Sequence, residues 1–240
     1  HKPTNTMKRT TIYQALIVVL LFVSCSPKQY EKTANGIVLG FDQNDDTETK
    51  KLLVSVLGEE LIHVSASPEK EFPKDSSLII VPKNSPVPFT VDEQGDSILL
   101  ATKKLNVLIS KINGGIKFKD KDGNLILSEK AGGGKTFIPI EVEGTKGFTT
   151  RQIFNSPESE SFYGLGQHQS DEFNYKGKSE ELYQYNTKVS VPFIVSNKNY
   201  GLLWDSYSLS RFGDSRPYQQ LGSIFKLYDK NGEPDYLTGT

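Results

Sequence analysis

Leu52-Leu53-Val54-Ser55-Val56 and Leu61-Ile62-His63-Val64-Ser65-Ala66-Ser67 are the stretches that decide the fold of this 240-residue chain. In an extended strand, successive side chains point to opposite sides. Leu52, Val54 and Val56 therefore share one face. Ile62, Val64 and Ala66 share a face too, opposed by His63, Ser65 and Ser67. A period of two with β-branched residues on one side is the pattern of a half-buried strand.

The same pattern recurs on both sides of these stretches. Leu78 to Val81 is a short apolar run stopped by Pro82. Leu105, Val107 and Ile109 alternate with Asn106 and Ser110, and Ile116 and Phe118 alternate with Lys117 and Lys119. The run Leu125 to Leu127 follows Asp122-Gly123-Asn124, a strong turn signal. Further strands are expected at Gly147 to Phe154, Val189 to Ser196, Gly201 to Asp205 and Ser223 to Tyr228. Turn residues fall about every 8–12 residues, the rhythm of a sandwich or barrel. No stretch carries apolar residues at helical spacing for three turns with caps. The chain reads as all-β, one large β-sandwich over residues 35–240, with a split at the loop Lys130 to Lys135 as the alternative. Tyr236-Leu237 begins another apolar stretch just before Thr240, which reads as a body that continues past this point.

Composition narrows the partners. The chain has 28 Lys and Arg against 29 Asp and Glu, a formal net charge of -1. Nucleic-acid binding needs clustered positive charge to neutralise phosphates, so no nucleic-acid partner is expected. A neutral ligand fits better. Aromatic residues make up 10% of the chain; their flat faces can stack on sugar rings, although most aromatics fill cores.

The first segment reads as an address. Met7 is the sole methionine, and His1 to Thr6 read as upstream sequence. Lys8 and Arg9 precede an apolar run from Ala15 to Val23, the layout of a secretory signal. The run is shorter than the roughly 20 residues that span a bilayer. Leu21-Phe22-Val23-Ser24-Cys25 resembles a lipobox, with Phe22 standing where leucine is preferred. It predicts cleavage before Cys25, the sole cysteine, acylation on it, and a polar tether over 26–34. An ordinary signal peptide with a chance cysteine is the other reading. Both export the chain, and the first anchors it to a membrane, periplasmic or on the cell surface.

Familiar chemical motifs fail on inspection. Gly134-Lys135-Thr136 looks like the end of a phosphate-binding loop, but the glycine required five places earlier is Glu129. Gly132 to Gly134 read as a flexible loop. Asp120, Asp122 and Asn124 open like a calcium loop, yet Leu125 and Ala131 occupy the positions that need Gly and Glu. Asp42, Asn44 and Asp46 fail in the same way. With His63 and His168 as the only histidines beyond the leader and no G-x-S-x-G elbow, serine-hydrolase chemistry has no support. No metal and no cofactor is expected. Glycoside hydrolysis needs two carboxylates that flank the scissile bond. Glu158, Glu160, Asp171, Glu172, Glu180, Glu181, Asp205 and Asp214 are available, but most lie in polar stretches where solvation is the default. No catalytic residue is assigned.

The densest signal runs from Phe162 to Gly213. Phe162-Tyr163-Gly164-Leu165-Gly166-Gln167-His168 is followed by Leu182-Tyr183-Gln184-Tyr185-Asn186-Thr187. Pro192-Phe193-Ile194-Val195-Ser196 and Tyr200-Gly201-Leu202-Leu203-Trp204-Asp205 come next. Gly164 and Gly166 permit conformations that a side chain forbids. Val189, Val191, Phe193 and Val195 read as a half-buried strand, with Phe193 and Trp204 as core. In order and spacing, these blocks resemble the N-terminal β-sandwich of glycoside hydrolase family 31, the α-xylosidase and α-glucosidase family. Weaker similarity reaches back to about Val38. The resemblance implies a galactose mutarotase-like supersandwich. It also implies retaining hydrolysis by two carboxylates in a catalytic barrel of the same full-length chain, and predicts that this portion alone is inactive. In the family a sandwich loop patterned W-N-x-D lines the sugar site. Its aligned residues are Tyr183, Gln184, Tyr185 and Asn186, with Thr187 next, each softened: Tyr for Trp, Gln for Asn, Asn for Asp. Gln167 replaces the glutamate of Y-G-L-G-E. The substrate expected is an oligosaccharide or a polysaccharide side chain.

Two rivals stand beside this reading. One is a non-catalytic carbohydrate-binding or structural lipoprotein. The other is a mutarotase-type epimerase, which would need a histidine and a carboxylate converging in a cleft, with His168 as the base.

Overall fold

The computed structural model describes residues 29–73, 77–80, 86–169 and 172–213, and the backbone of 221–223, 226–228 and 234–235. The leader with Cys25, Asp171, Asp214 and Tyr236-Leu237 lie outside the described residues. Among those described there is no helix, in keeping with the all-β reading.

Four strands form the first antiparallel sheet in simple order: β1 (Tyr30–Thr33), β2 (Gly36–Gly40), β3 (Lys51–Gly58) and β4 (Leu61–Ser67). Leu52 pairs with Ala66 and Val54 with Val64. The second sheet is a meander of β5 (Thr90–Gln94), β6 (Ser97–Ala101), β7 (Leu105–Ser110), β8 (Ile116–Asp120) and β9 (Leu125–Glu129). A hairpin of β10 (Lys135–Val142) and β11 (Thr145–Gln152) follows, and β12 (Phe154–Asn155) returns to pair with β9.

The two sheets close on one core. Ile37 and Leu39 of β2 and Leu52, Val54 and Val56 of β3 come from the first sheet. Ile98 and Leu100 of β6, Val107 and Ile109 of β7 and Ile116 of β8 meet them from the second; all are buried. Facing apolar sheets of this kind are the sandwich solution to burying one side of each strand. Each such aliphatic side chain contributes about 1.5–3 kcal/mol of transfer free energy. The period-two reading of Leu52 to Val56 therefore predicts the observed core face.

A second body of strands follows. β13 (Phe162–Gln167), β15 (Val189–Ser196) and β16 (Tyr200–Leu203) form a sheet with β15 at its centre, and β14 (Glu180–Leu182) pairs with β17 (Ser210–Phe212). Phe162, Leu165, Tyr175 and Ile194 make its core, with Leu182, Tyr200, Leu202 and Phe212 packed against them. The backbone continues as β18 (Leu221–Ser223), β19 (Lys226–Tyr228) and β20 (Pro234–Asp235), which pair in that order.

Several expectations need correction. Tyr30 to Thr33, read as tether, is strand β1 and pairs residue by residue with β2. The apolar run at Leu78 to Val81 forms no strand over its described part, and Leu78 is 81% exposed. Ser77 Oγ instead accepts from the N–H groups of Ile79 and Ile80, at 3.3 and 3.2 Å. Such a local hydroxyl turn competes with ladder pairing. Gly132, Gly133 and Gly134 all have positive φ, and Gly134 lies so close to Ile153 that a Cβ would sit 2.5 Å from its carbonyl oxygen. The Asp120 turn is as expected. Asp120 Oδ1 accepts from the N–H groups of Asp122 and Asn124 at 2.9 and 2.8 Å, closing the β8–β9 hairpin.

The largest departure is at β15. Val189, Val191, Phe193 and Val195 are 39 to 48% exposed. Ile194 and Ser196, on the opposite face, are the buried ones. The alternation is present, but the second core takes the even-numbered residues. Phe193 is thus not core, and Trp204 is only half-buried. With Leu203, 47% exposed, these side chains form an apolar stripe along β15 and β16.

Candidate functional site

The stretch Tyr183 to Thr187 is where the structure brings the sequence signals together. All five residues are exposed, in a segment whose neighbours Leu182 and Lys188 are not. β14 holds one end: Glu181 pairs with Arg211 across the β14–β17 ladder, and Arg211 Nη2 donates to Glu181 Oε1 at 2.6 Å. The other end closes as a tight turn, in which Lys188 N–H donates to Tyr185 O at 2.7 Å. Ser190 Oγ donates to Tyr183 O at 2.9 Å and ties the loop to β15. Asn186 and Thr187 occupy the turn's centre, where their amide and hydroxyl can both donate and accept.

Tyr183 and Tyr185 stack, with ring centres 5.4 Å apart and planes inclined by 15°. Lys188 Nζ lies 5.0 Å from the centre of the Tyr183 ring. A flat aromatic pair next to an exposed amide and hydroxyl can hold a neutral sugar, by stacking on one face and hydrogen bonding at its edge.

Beneath the loop lies a chain of part-buried polar groups. Lys188 Nζ donates to Glu180 Oε1 at 2.6 Å. The same oxygen is 3.1 Å from His168 Nδ1. His168 Nε2–H donates to Leu165 O at 2.6 Å. The side chains of His168, Glu180 and Lys188 are 2, 12 and 12% exposed. The glycines of β13 explain the geometry. Gly164 and Gly166 have φ of 121° and 98°, and a Cβ on Gly166 would sit 2.0 Å from Val189 O. Leu165 between them is left-handed, at φ 65°. The register with β15 breaks at this point, and His168 satisfies the Leu165 carbonyl there.

This arrangement leaves no mutarotase-type site at His168. The ring is buried, one nitrogen is occupied by Leu165 O, and Glu180 is in direct contact. A sugar has no room between base and acid. The other candidate carboxylates disperse. Glu158 is exposed, while Asp205 lies 3.9 Å from His63 and accepts from the Tyr207 hydroxyl at 3.2 Å. Glu160, expected to be solvated, is instead buried. Ser196 Oγ and Ser156 Oγ donate to it at 2.6 and 3.0 Å. Burial pushes the Glu160 carboxyl up, but hydrogen bonds from Ser196, Tyr200 and Ser156 outweigh it and hold the group below its ordinary value. Burial, with Glu160 beside it, pushes the Tyr200 phenol well up.

Sequence reading missed Glu129 and Lys135 as a pair. Lys135 Nζ donates to Glu129 Oε1 at 2.6 Å and to Gly114 O at 3.2 Å, and both side chains are under 10% exposed. Burial dominates both, raising the carboxyl and lowering the ammonium. The failed phosphate-loop lysine is thus a buried structural cation. No sequence signal joins Glu180 to Lys188 or His168 either, because those contacts cross between segments at irregular spacing.

One depression is lined by Glu31, Asn35, Lys51, Ser55 and Phe72 among others, a second by residues around Gly132 to Lys135, and neither includes residues 183–187.

Comparison with known proteins gives these features a setting. Residues 51–212 match the family model of the glycosyl hydrolase 31 N-terminal galactose mutarotase-like domain. An alpha-xylosidase of Saccharolobus solfataricus is 34% identical over 145 residues, 56% of this chain and 19% of that protein. The crystal structure of a family 31 alpha-xylosidase from Xanthomonas citri superposes with a TM-score of 0.72 at 40% identity, covering 85% of this chain and 22% of that one. A family 31 alpha-xylosidase from a soil metagenome, solved with xylose, gives 0.63 at 26%, covering 76% of this chain and 28% of that one. The chain spans about a fifth of the length of the curated relatives it matches.

Proposed function

From the membership of this chain in the glycosyl hydrolase 31 N-terminal domain family, we propose that it is the substrate-side sandwich of a retaining α-xylosidase. Its task is to lend the loop Tyr183 to Thr187 to the sugar site and to brace a catalytic barrel in the same polypeptide. The observation that carries this reading is the loop itself: five consecutive exposed residues, two of them stacked aromatics, held at both ends by β14 and β15. In this reading a second surface completes the exposed sugar platform.

The apolar stripe of Val189, Val191, Phe193, Val195 and Leu203 supports a docking face on the same sheet. Its occupant in this reading is the remainder of the enzyme, since about four-fifths of the relatives' length lies outside the matched span. Relatives named alpha-xylosidase favour xylose over glucose as the sugar.

The test is Asn186→Ala in the full-length enzyme, assayed on an aryl α-xyloside and an aryl α-glucoside. Asn186 sits in an exposed turn, so the fold should persist while kcat/KM falls roughly ten- to a hundredfold, the loss of one to two substrate hydrogen bonds. Unchanged kinetics on both substrates would remove the loop from the site.

A further inference from the structure

The part-buried chain of contacts from His168 to Lys188 ends directly against the exposed aromatic pair. Withdrawing ionisable side chains from water is costly unless they are paired; His168 Nδ1 makes no hydrogen bond, whereas Glu180 and Lys188 bond each other. Lys188 and Glu180 meet at 2.6 Å, the short distance of a charge-assisted bond. That bond fixes where the ammonium stands. Its other neighbour is the face of Tyr183, 5.0 Å from the ring centre. A cation over a tyrosine face is attracted by the ring quadrupole, and more strongly when desolvated. Tyr183 in turn carries Tyr185.

We propose that Lys188, anchored by Glu180, is a positioning residue that sets the Tyr183–Tyr185 stack in its sugar-accepting orientation. The order of contacts is Leu165 O, His168, Glu180, Lys188, Tyr183, Tyr185. It starts at the register break of β13, where Gly164 and Gly166 hold the backbone, and ends at the loop surface. Without the ammonium, Tyr183 keeps only its stacking partner and its backbone tie to Ser190. The ring pair is then free to rotate before substrate arrives, and binding must pay the cost of ordering it. The kinetic part of this inference rests on the loop meeting the sugar; the orientation of the ring pair does not.

The experiment uses the full-length enzyme with Lys188→Met, Lys188→Arg, Glu180→Gln and Tyr185→Ala, assayed on 4-nitrophenyl α-xyloside and by near-ultraviolet circular dichroism of the tyrosines. Lys188→Met should raise KM roughly three- to tenfold with kcat within about twofold, the signature of lost binding that does not change between ground and transition state. Its tyrosine dichroism should fall toward that of Tyr185→Ala without substrate present. Lys188→Arg, which keeps the cation, should restore most of both. Glu180→Gln, which keeps the shape but loosens the anchor, should move both in the same direction and serves if Lys188→Met folds poorly. Unchanged dichroism in both Lys188→Met and Glu180→Gln overturns the proposal, as does a raised KM with the dichroism intact. If Tyr185→Ala leaves KM unchanged while Lys188→Met alters the dichroism, the positioning stands and the sugar-site reading falls.

Discussion

Ser196 Oγ donates a 2.6 Å hydrogen bond to Glu160 Oε1 across 36 positions of chain, and both side chains are buried. The bond ties the segment entering β13 to the end of β15. Tyr200 and Ser156 donate to the same carboxylate.

Glu160 makes stability depend on pH. Its carboxyl is held below the ordinary value of 4.5, so the folded state binds this proton more weakly than the unfolded chain does. Stability from this group is present above that ordinary value and is lost as pH falls through the lower, folded-state value. Glu160→Gln should lower the melting temperature at neutral pH, at a cost of about 1–3 kcal/mol for the charged hydrogen bonds. The gap between wild type and variant should hold at neutral pH and shrink as pH falls through and below the ordinary value of 4.5. Thermal melts across that range check it, and a gap independent of pH would refute the assignment.

The Glu129–Lys135 pair makes a different prediction. Lys135→Met leaves a buried carboxylate without its cation and should destabilise by about 3–5 kcal/mol. The double variant Glu129→Leu, Lys135→Met removes both charges and should recover much of that loss. Denaturant melts of the single and double variants measure the coupling. Equal losses in both would mean that the glycine loop, not the pair, is what the lysine supports.

The stripe on β15 separates a docking face from a core. Phe193 is 39% exposed on this body, so Phe193→Glu should change the stability of residues 1–240 by only about 0.5 kcal/mol, as for an ordinary surface change. Under the proposed docking on the remainder of a longer enzyme, the same charge is buried at that face and should cost several kcal/mol or prevent soluble expression. Melting temperatures of both forms decide it. A large loss in the 240-residue form would place Phe193 in its own core.

Much of the first sandwich is legible in the sequence. Leu52, Val54 and Val56 alternate in sequence and are buried together, and the same holds for Val107 with Ile109. Gly164 and Gly166 read in sequence as positions that exclude a side chain, and the Cβ clashes at both agree. The loop residues Tyr183 to Thr187 stood out as polar and aromatic together, and they are the exposed ones. The reading failed where apolar pattern and burial part company. Phe193 alternates like a core residue but faces outward, because among the described residues its sheet is covered on one side only. Leu78 and Ile79 are apolar but are taken by a serine turn.

Local sequence determined most of the strands of the first sandwich, the turn at Asp120 to Asn124, and two glycines the backbone cannot replace, because these depend on φ and ψ and on a period of two. It also carried the family resemblance, through ordered blocks between Phe162 and Gly213. Only the tertiary structure decided that Glu160 is buried, that Lys135 answers Glu129, and that Lys188 stands between Glu180 and Tyr183. Those relationships join side chains across separate strands, and a charge's partner in three dimensions leaves no periodic trace along the chain.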